Sequence, residues 1–433
     1  MTRQMKDSGV EWIGTVPTDW QIGKVKTAFI RKKAEAHQDE PVVLSLARSG
    51  VKIRDITSGE GQLADSYYNY NPVEEGDFLI NPMDLYSGAN CSVSRVNGVI
   101  SPAYINLRAK ENYSADYYDY YFKTQYWSMA MFAHGKGVSY DNRWTLNAND
   151  LFNYFIPIPS YSEQVAIASF LNKQCAYIDT IIEKTKQSIV EYKNLKQAII
   201  TQAATKGVRG NRPMKDSGIE WIGEIPEEWE ISKVRYIGSL QNGISKGSEY
   251  FGEGFPFVSY GDVYRNFSIP AKVAGLVRTT EEEREQYSVI KGDIFFTRTS
   301  ETIEEVGFSA VCENTIRDAT FAGFVIRLRP YNVDRVMSTG YAKYYFRGEH
   351  IRKYLVKEMN LVTRASLGQG LLNAMSVLIP PHEEQKEIAT YLEQKCTEID
   401  SLITTKELLL TELENHKRSM IFEYVTGKKE VRV

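Results

Sequence analysis

Residues 159–207 read PSYSEQVAIASFLNKQCAYIDTIIEKTKQSIVEYKNLKQAIITQAATKG. Within them Leu171, Cys175, Ile178, Ile182, Thr185, Ile189, Tyr192, Lys196, Ile199 and Ala203 alternate steps of four and three, the spacing of a coiled-coil seam. Adding 221 to each number gives Leu392, Cys396, Ile399, Ile403, Lys406, Leu410, Leu413, Lys417, Met420 and Tyr424, the same phase with polar interruptions at the same two places. The chain therefore carries two copies of one long helix. About 42 residues at about 1.5 Å each make a rod of roughly 60 Å. A narrow apolar seam on such a rod needs a partner helix, and the second copy supplies it. The expected seam is Leu171, Ile178, Ile182 and Ile189 against Leu392, Ile399, Ile403 and Leu410.

Both copies open and close alike. Ile158-Pro159 precedes Glu163-Gln164, Ile379-Pro380 precedes Glu384-Gln385, and Gly207 and Gly427 stand just past the last turns. Ser160 with Glu163 has capping-box spacing, and glycine is a normal helix stop. A second duplication lies upstream. Met5 to Lys26 and Met214 to Arg235 are identical at 14 of 22 positions, including Trp12, Trp20 and their counterparts Trp221 and Trp229, which read as packing anchors. The linker Gly-Val-Arg-Gly-Asn-Arg-Pro, residues 207–213, separates the halves.

Between each tryptophan motif and each helix lies a segment that has diverged. Gly76-Asp77-Phe78 still answers Gly292-Asp293-Ile294, and Tyr120-Tyr121-Phe122 answers Tyr344-Tyr345-Phe346. Short β-rich runs between Gly and Asn turns, with aromatic-rich helices expected over Asp116–Phe132 and Tyr341–Met359, argue for mixed α/β (α+β) domains. The expected order is a domain over 1–158, a helix over 159–207, a domain over 208–379, a helix over 380–427 and a tail over 428–433. Similar helices holding divergent domains describe one scaffold with two different heads.

At 433 residues, with 42% hydrophobic and 25% charged content, the chain has the composition of an ordinary soluble multidomain protein. The polar start MTRQMKDSG offers no signal peptide and no run suits a membrane span, so a cytoplasmic protein is expected. Net charge is −3, which argues against indiscriminate coating of nucleic acid and leaves DNA contact to local patches. The four cysteines and five histidines form no metal, redox or triad spacing. No GxxxxGK[ST] loop occurs. Phe251-Gly-Glu-Gly254 and Asn81-Pro82-Met83-Asp84 faintly resemble adenine methyltransferase motifs but are out of register and read as turns. The ExK spacings at Glu384 and Glu393 resemble those of metal-dependent nucleases, yet lie on the helix and read as solvated faces. A catalytic role is disfavoured.

What remains is basic side chains interleaved with aromatics and hydroxyls in the divergent segments: Arg48, Lys52, Arg54, Tyr68, Lys136, Tyr140 and Arg143 in the first, and Lys246, Ser248, Tyr260, Arg265, Arg298 and Arg364 in the second. Arginine and lysine pair with guanine edges or phosphate, so such loops can supply DNA readout.

Taken together, the MKDSG(V/I)EWIG openings, the Gly-Asp turns and the Ile-Pro…Glu-Gln approaches to the helices make the whole chain closely resemble the specificity subunit of type I restriction-modification systems. That resemblance implies two target recognition domains, each reading half of a bipartite asymmetric DNA site. It also implies an antiparallel helix pair that separates them and docks two methyltransferase (modification) subunits, with restriction subunits completing the complex. S-adenosylmethionine, ATP and Mg would sit on those partners, and this chain would hold no cofactor. The alternatives are a specificity subunit of a fused, type II-like enzyme, a coiled-coil scaffold without a DNA target, and a metal-dependent nuclease.

Overall fold

The computed structural model describes residues 3–57, 63–83, 85, 90–137, 144–300, 305–332, 336–359 and 365–431. The chain divides into two compact units, Met1–Lys186 with Leu408–Val433, and Gln187–Glu407. Each unit thus takes one globular head and half of each long helix.

The first unit is built on an antiparallel sheet in the order Phe29–Lys32, Ile105–Ala109, Phe78–Ile80, Cys91–Val93. Strand alternation divides its apolar side chains between two cores. Phe78 and Ile80 join Tyr117, Tyr118, Tyr121 and Phe122 of the helix Ala115–Trp127. Leu79 faces the other way, onto Leu44, Leu46, Val73 and Ile100. The latter core sits under the hairpin Leu44–Ala47/Gly50–Ile53 and the strand pair Asn71–Val73/Gly98–Ile100.

The second unit repeats the framework, in the order Gly238–Asn242, Val325–Pro330, Ile294–Thr297, Ser309–Val311. Where the first unit has short hairpins, this one has a further sheet, Gly275–Val277, Phe251–Val258 and Thr320–Phe321, with its own core of Val258, Val277, Phe295 and Phe321. The helix expected over Tyr341–Met359 is in fact two, Thr339–Tyr345 and Glu349–Glu358. Gly348 is the N-cap of the second, and the Arg347 side chain is drawn off to the carbonyls of Val263, Asn266 and Ser309. The first unit's expected helix over Asp116–Phe132 likewise stops at Trp127, with a separate 3-10 turn at Phe132–His134.

The shared Gly-Asp turns bury a carboxylate in each unit. Asp77 accepts from Lys32 Nζ at 2.9 Å, from Arg108 Nε and from the Glu74 N–H at 2.8 Å. Burial opposes its ionisation, but these donors outweigh burial and hold the carboxyl below its usual pKa. Asp293 accepts from Arg329 Nε and Nη2, both at 2.7 Å, and from the Ile290 N–H at 2.9 Å.

The expected long helices are present as Tyr161–Lys206 and His382–Val425. In each unit their halves run antiparallel. In the first, Phe170 meets Tyr424 at 4.5 Å between ring centroids, Lys417 Nζ bonds Asp179 at 2.6 Å, and the Tyr117 hydroxyl donates to the Val425 carbonyl. In the second, Lys196 Nζ bonds Asp400 at 2.6 Å and the Tyr341 hydroxyl donates to the Ala204 carbonyl. Each pair of contacts is the 221-residue image of the other on the long helices. The seam residues Leu171, Ile178, Ile182, Ile189, Leu392, Ile399 and Ile403 are buried, and Leu410 is partly so. Gly207 and Gly427 end the helices at φ +77° and +70°, a conformation glycine adopts freely.

Each helix start is gripped by the tryptophan motif. Trp20 Nε1 donates to Glu163 at 2.9 Å and Arg3 pairs with the same carboxylate. Trp229 Nε1 donates to Glu384 at 3.0 Å and Arg212 pairs there. The sequence reading placed Glu384 on a solvated face, which is wrong: it is fully buried, because the indole and guanidinium claim its oxygens. The capping box forms only in part. Ser160 Oγ accepts from the Glu163 N–H, but the Glu163 carboxylate turns to Trp20 and Arg3. The neighbouring glutamines cap another helix: the Ser114 N–H donates to Gln164 Oε1 and the Ser338 N–H to Gln385 Oε1.

His350 is buried against Tyr345 with neither ring nitrogen hydrogen-bonded, and burial, reinforced by Lys353, pushes its pKa down to about 3. A lowered pKa leaves stability intact above the unfolded value near 6.5 and removes it as pH falls below that. Between pH 7.5 and 5 the wild type is expected to lose about 2 kcal/mol more than His350→Leu. Urea unfolding at both pH values measures this, and parallel losses would show that the imidazole is not held neutral.

No helix among the described residues is long and apolar enough to cross a membrane.

Candidate nucleic-acid interface

In the first unit the hairpin Leu44–Ala47/Gly50–Ile53 carries Arg48 exposed in its turn and Lys52 exposed on its return strand. The register pairs Leu44 with Ile53 and Ala47 with Gly50. Arg48 and Arg54 therefore flank opposite ends of the hairpin. The Arg54 N–H is fixed to the Val43 carbonyl at 2.8 Å. Its charge acts on Tyr104, whose hydroxyl pKa burial pushes up, with Tyr70 also close enough to contribute. Tyr68 belongs to the same neighbourhood. Its carbonyl accepts from the His37 N–H and its ring lies 5.2 Å from that imidazole, while Tyr67 and Tyr70 pack edge to face at 5.1 Å. The result is a surface of tyrosines edged by cations.

Lys136 stands apart from this surface in its local contacts. It pairs in an antiparallel bridge with Thr145, and its side chain, 82% exposed, comes within 3.8 Å of Asp150. The bridge closes the base of a loop whose interior, with Tyr140 and Arg143, lies outside the described residues. Trp144 anchors that base by stacking on Phe132 and donating to its carbonyl at 2.8 Å.

In the second unit Lys246, Ser248 and Arg298 lie on adjoining segments. Ile244 bridges in parallel to Ala322, and the Phe324 carbonyl accepts from the Arg298 N–H at 2.9 Å. The Arg298 carbonyl in turn accepts from the Leu367 N–H, so the strand holding residues 365–366 is beside it. Arg364, just before that strand, is outside the described residues. Ser248 is exposed, whereas the Lys246 ammonium bonds Glu283 at 2.7 Å and lies over the Tyr250 ring at 4.9 Å. Phe324, 64% exposed beside Arg298, is an aromatic that the sequence reading overlooked.

Tyr260 and Arg265 belong to another element, the short helix Tyr260–Arg265 capped by Ser259 and Asp262. Tyr260 stacks on Tyr264, which contacts Phe308, and Phe308 and Phe267 each lie 4.9 Å from the Arg347 guanidinium. Burial pushes that guanidinium down to about 10, so it stays charged near neutrality. A cavity of about 550 Å³ opens against this column, lined by Phe267, Phe308, Arg347, Arg352 and, on the long helices, Lys196 and Ile403. Four backbone carbonyls engage Arg347, which makes it a packing element of the unit. The candidate residues of the second unit are thus carried on several elements, and the column reaches the Arg298 segment through the Thr297 N–H, which donates to the Phe308 carbonyl at 2.8 Å.

No group of three or more His, Cys, Asp or Glu side chains among the described residues is arranged to hold a metal ion. All four cysteines are buried free thiols, and burial raises the pKa of each. The polar chemistry offered at the surface is hydrogen bonding, charge and aromatic contact.

Comparison with known proteins points in one direction. A family model described as the type I restriction modification DNA specificity domain matches residues 226–414. The MjaVIII type I restriction enzyme specificity subunit of Methanocaldococcus jannaschii is 24% identical over 368 residues, covering 83% of this chain and 80% of that protein. A solved chain from the structural basis of complex assembly and conformational transition of the type I R-M system superposes with a TM-score of 0.73 at 15% identity, covering 96% of this chain and 99% of the other. The HsdS subunit from Thermoanaerobacter tengcongensis gives a TM-score of 0.54 at 14% identity, covering 96% and 98%. The last two are likenesses of fold.

Proposed function

Because the chain belongs to the family of type I restriction-modification specificity subunits, we propose that its two units each read one half of a bipartite, asymmetric sequence in double-stranded DNA. The long helices set the interval between the half-sites and dock two methyltransferase subunits, and restriction subunits act on the same complex. One observation supports this reading above the others. The two units share the four-stranded sheet, the buried Gly-Asp carboxylate and the tryptophan grip, yet differ in the elements that carry the candidate contacts. A duplicated framework with divergent reading surfaces suits a protein that holds two equivalent partners and recognises two different sequences.

In this division of labour the chain supplies recognition and its partners supply chemistry. S-adenosylmethionine, ATP and Mg belong to the partner subunits. The net charge of −3 fits the same division, since partner subunits that embrace the duplex would neutralise much of its phosphate charge. Phosphate or guanine contact is assigned in this proposal to Arg48, Lys52 and Arg54 of the first unit and Arg298 of the second, on their charge.

Single-molecule sequencing of genomic DNA, scored for N6-methyladenine in strains with and without this gene and with the methyltransferase co-expressed, tests the reading. A bipartite asymmetric motif present only with the gene is the expected result. With a functioning methyltransferase in the cell, an unchanged methylation pattern would overturn it.

A further inference from the structure

The stretch Phe251–Gly254, read from sequence as a turn, instead opens the strand Phe251–Val258 and has a more particular construction. The strand Phe251–Val258 pairs with Gly275–Val277, and a register shift sets both Phe251 and Phe255 opposite Val277, pushing Gly252-Glu253-Gly254 out of the ladder. Gly252 and Gly254 have φ of +102° and +101°, and a Cβ on Gly254 would lie 2.6 Å from the Val277 carbonyl oxygen. Only glycine suits that combination. Bulges of this kind re-aim the side chains beside them and cluster near functional sites.

What the bulge presents is aromatic. Tyr250 and Phe251 are 40% and 39% exposed, although a core containing Phe257 and Phe321 lies within the same sheet. Phe251 rests edge-on against Phe257 at 5.2 Å, and the centroid of the Tyr250 ring is 4.9 Å from Lys246 Nζ and 5.5 Å from Arg278 Cζ. The Arg278 N–H also donates to the Tyr250 carbonyl at 2.9 Å. Both cations are already committed. Lys246 is paired with Glu283 at 2.7 Å, and Arg278 is paired with Glu253 at 3.4 Å and donates to the Glu249 carbonyl. Glu249 adds a third, exposed carboxylate to Glu253 and Glu283, so neither cation is left over for a phosphate, and the apolar surface that the tip offers a ligand is that of its rings.

Resting on the DNA-reading function proposed above, we propose that Tyr250 and Phe251 are specificity-determining residues of the second unit, making apolar contact with base edges in its half-site. The thymine methyl group is the apolar feature of the major groove and the natural counterpart of such rings. This contact neutralises no phosphate and so releases no counterions.

That last property makes the test sharp. The full chain, assembled with its methyltransferase subunits, is titrated on a duplex carrying the mapped site at several salt concentrations, and its preferences are profiled with a randomised half-site library. Tyr250→Ala and Phe251→Ala are each expected to weaken binding about 10-fold or more and to relax preference at one or two positions of a single half-site. The slope of log K against log salt is expected to stay unchanged. Tyr331→Ala, which removes a 68% exposed ring elsewhere in the unit, is expected to bind within about twofold of wild type. Unfolding midpoints of the complexes establish that each variant is folded. Because Phe251 also packs on Phe257, Tyr250→Ala alone decides the matter if Phe251→Ala unfolds. Folded variants that bind within twofold, change the salt slope by about one ion, or lose no more than Tyr331→Ala would overturn the assignment. If the wild-type complex itself showed no preference for its mapped site, the DNA-reading function would have failed instead.

Discussion

Trp229→Ala is expected to cost the second unit about 5 kcal/mol, enough to unfold it under mild denaturant. The indole is fully buried and fills the core between Ile225, Val234 and the start of the second long helix, so truncation leaves a cavity the surrounding sheet and helix cannot close. Its N–H is also one of the two side-chain donors to Glu384, whose carboxylate has no solvent access. Loss of that donor adds the penalty of an under-satisfied buried charge. Trp229→Phe separates the terms, keeping most of the volume and removing the hydrogen bond. The internal repeat supplies the control. Trp20 is equally buried, but its acceptor Glu163 has a side chain 22% exposed, so water can replace the indole. Trp20→Phe is therefore expected to cost less than Trp229→Phe, by about 1 kcal/mol. Urea unfolding of the three variants measures this. Equal losses for the two Phe variants would mean that the carboxylates are equally hydrated in solution.

The sequence made the framework readable for a physical reason. A seam repeated at steps of four and three cannot be satisfied by a lone helix, and a repeat at a fixed offset names the partner. The packing role of Trp20 and Trp229 was equally legible. The acceptor of their N–H groups was not, because Glu163 and Glu384 lie 143 and 155 residues away, and a glutamate in a first helical turn looks like a cap. In the same way, the break between Thr339–Tyr345 and Glu349–Glu358 falls where carbonyls from two other segments, the Tyr260–Arg265 helix with its C-cap and the strand at Ser309, hold Arg347. Local periodicity carries no trace of such long-range competition.

The candidate surfaces were legible only as composition. Arg48, Lys52 and Arg54 stand out in the sequence because cations in a Gly-containing loop are conspicuous, and their position on and beside one hairpin follows from the register. Lys246 met the same criterion, yet its ammonium is held by Glu283, 37 residues on, which no motif could announce. Tyr250, Arg278 and Phe324 were passed over because single aromatics and arginines are common. Their significance comes from exposure and from the neighbours that a β-bulge and a parallel bridge bring together.

The chain passes between its two units only within the long helices, at Lys186/Gln187 and Glu407/Leu408, positions that are 221 residues apart and therefore equivalent in the repeat. Inserting seven residues at both places is expected to lengthen the unread interval of the target by about three base pairs, at about 1.5 Å per helical residue and about 3.4 Å per base-pair step. Seven keeps the seam in phase, so Ile182 and Ile189 continue on one face, as do Ile403 and Leu410; four residues would introduce a stutter that rotates one half of the seam against the other. The same insertion in one helix alone slides Lys196 past Asp400, or Lys417 past Asp179, and should abolish methylation. The bases of both half-sites should stay as they were, because neither sheet, neither Gly-Asp turn and neither reading surface is touched. Methylation mapping of cells carrying the paired insertion decides the point. A longer interval with the same half-sites assigns spacing to the helices. Altered half-sites at the old interval would mean that the heads, and not the helices, fix the distance at which the two sequences are read.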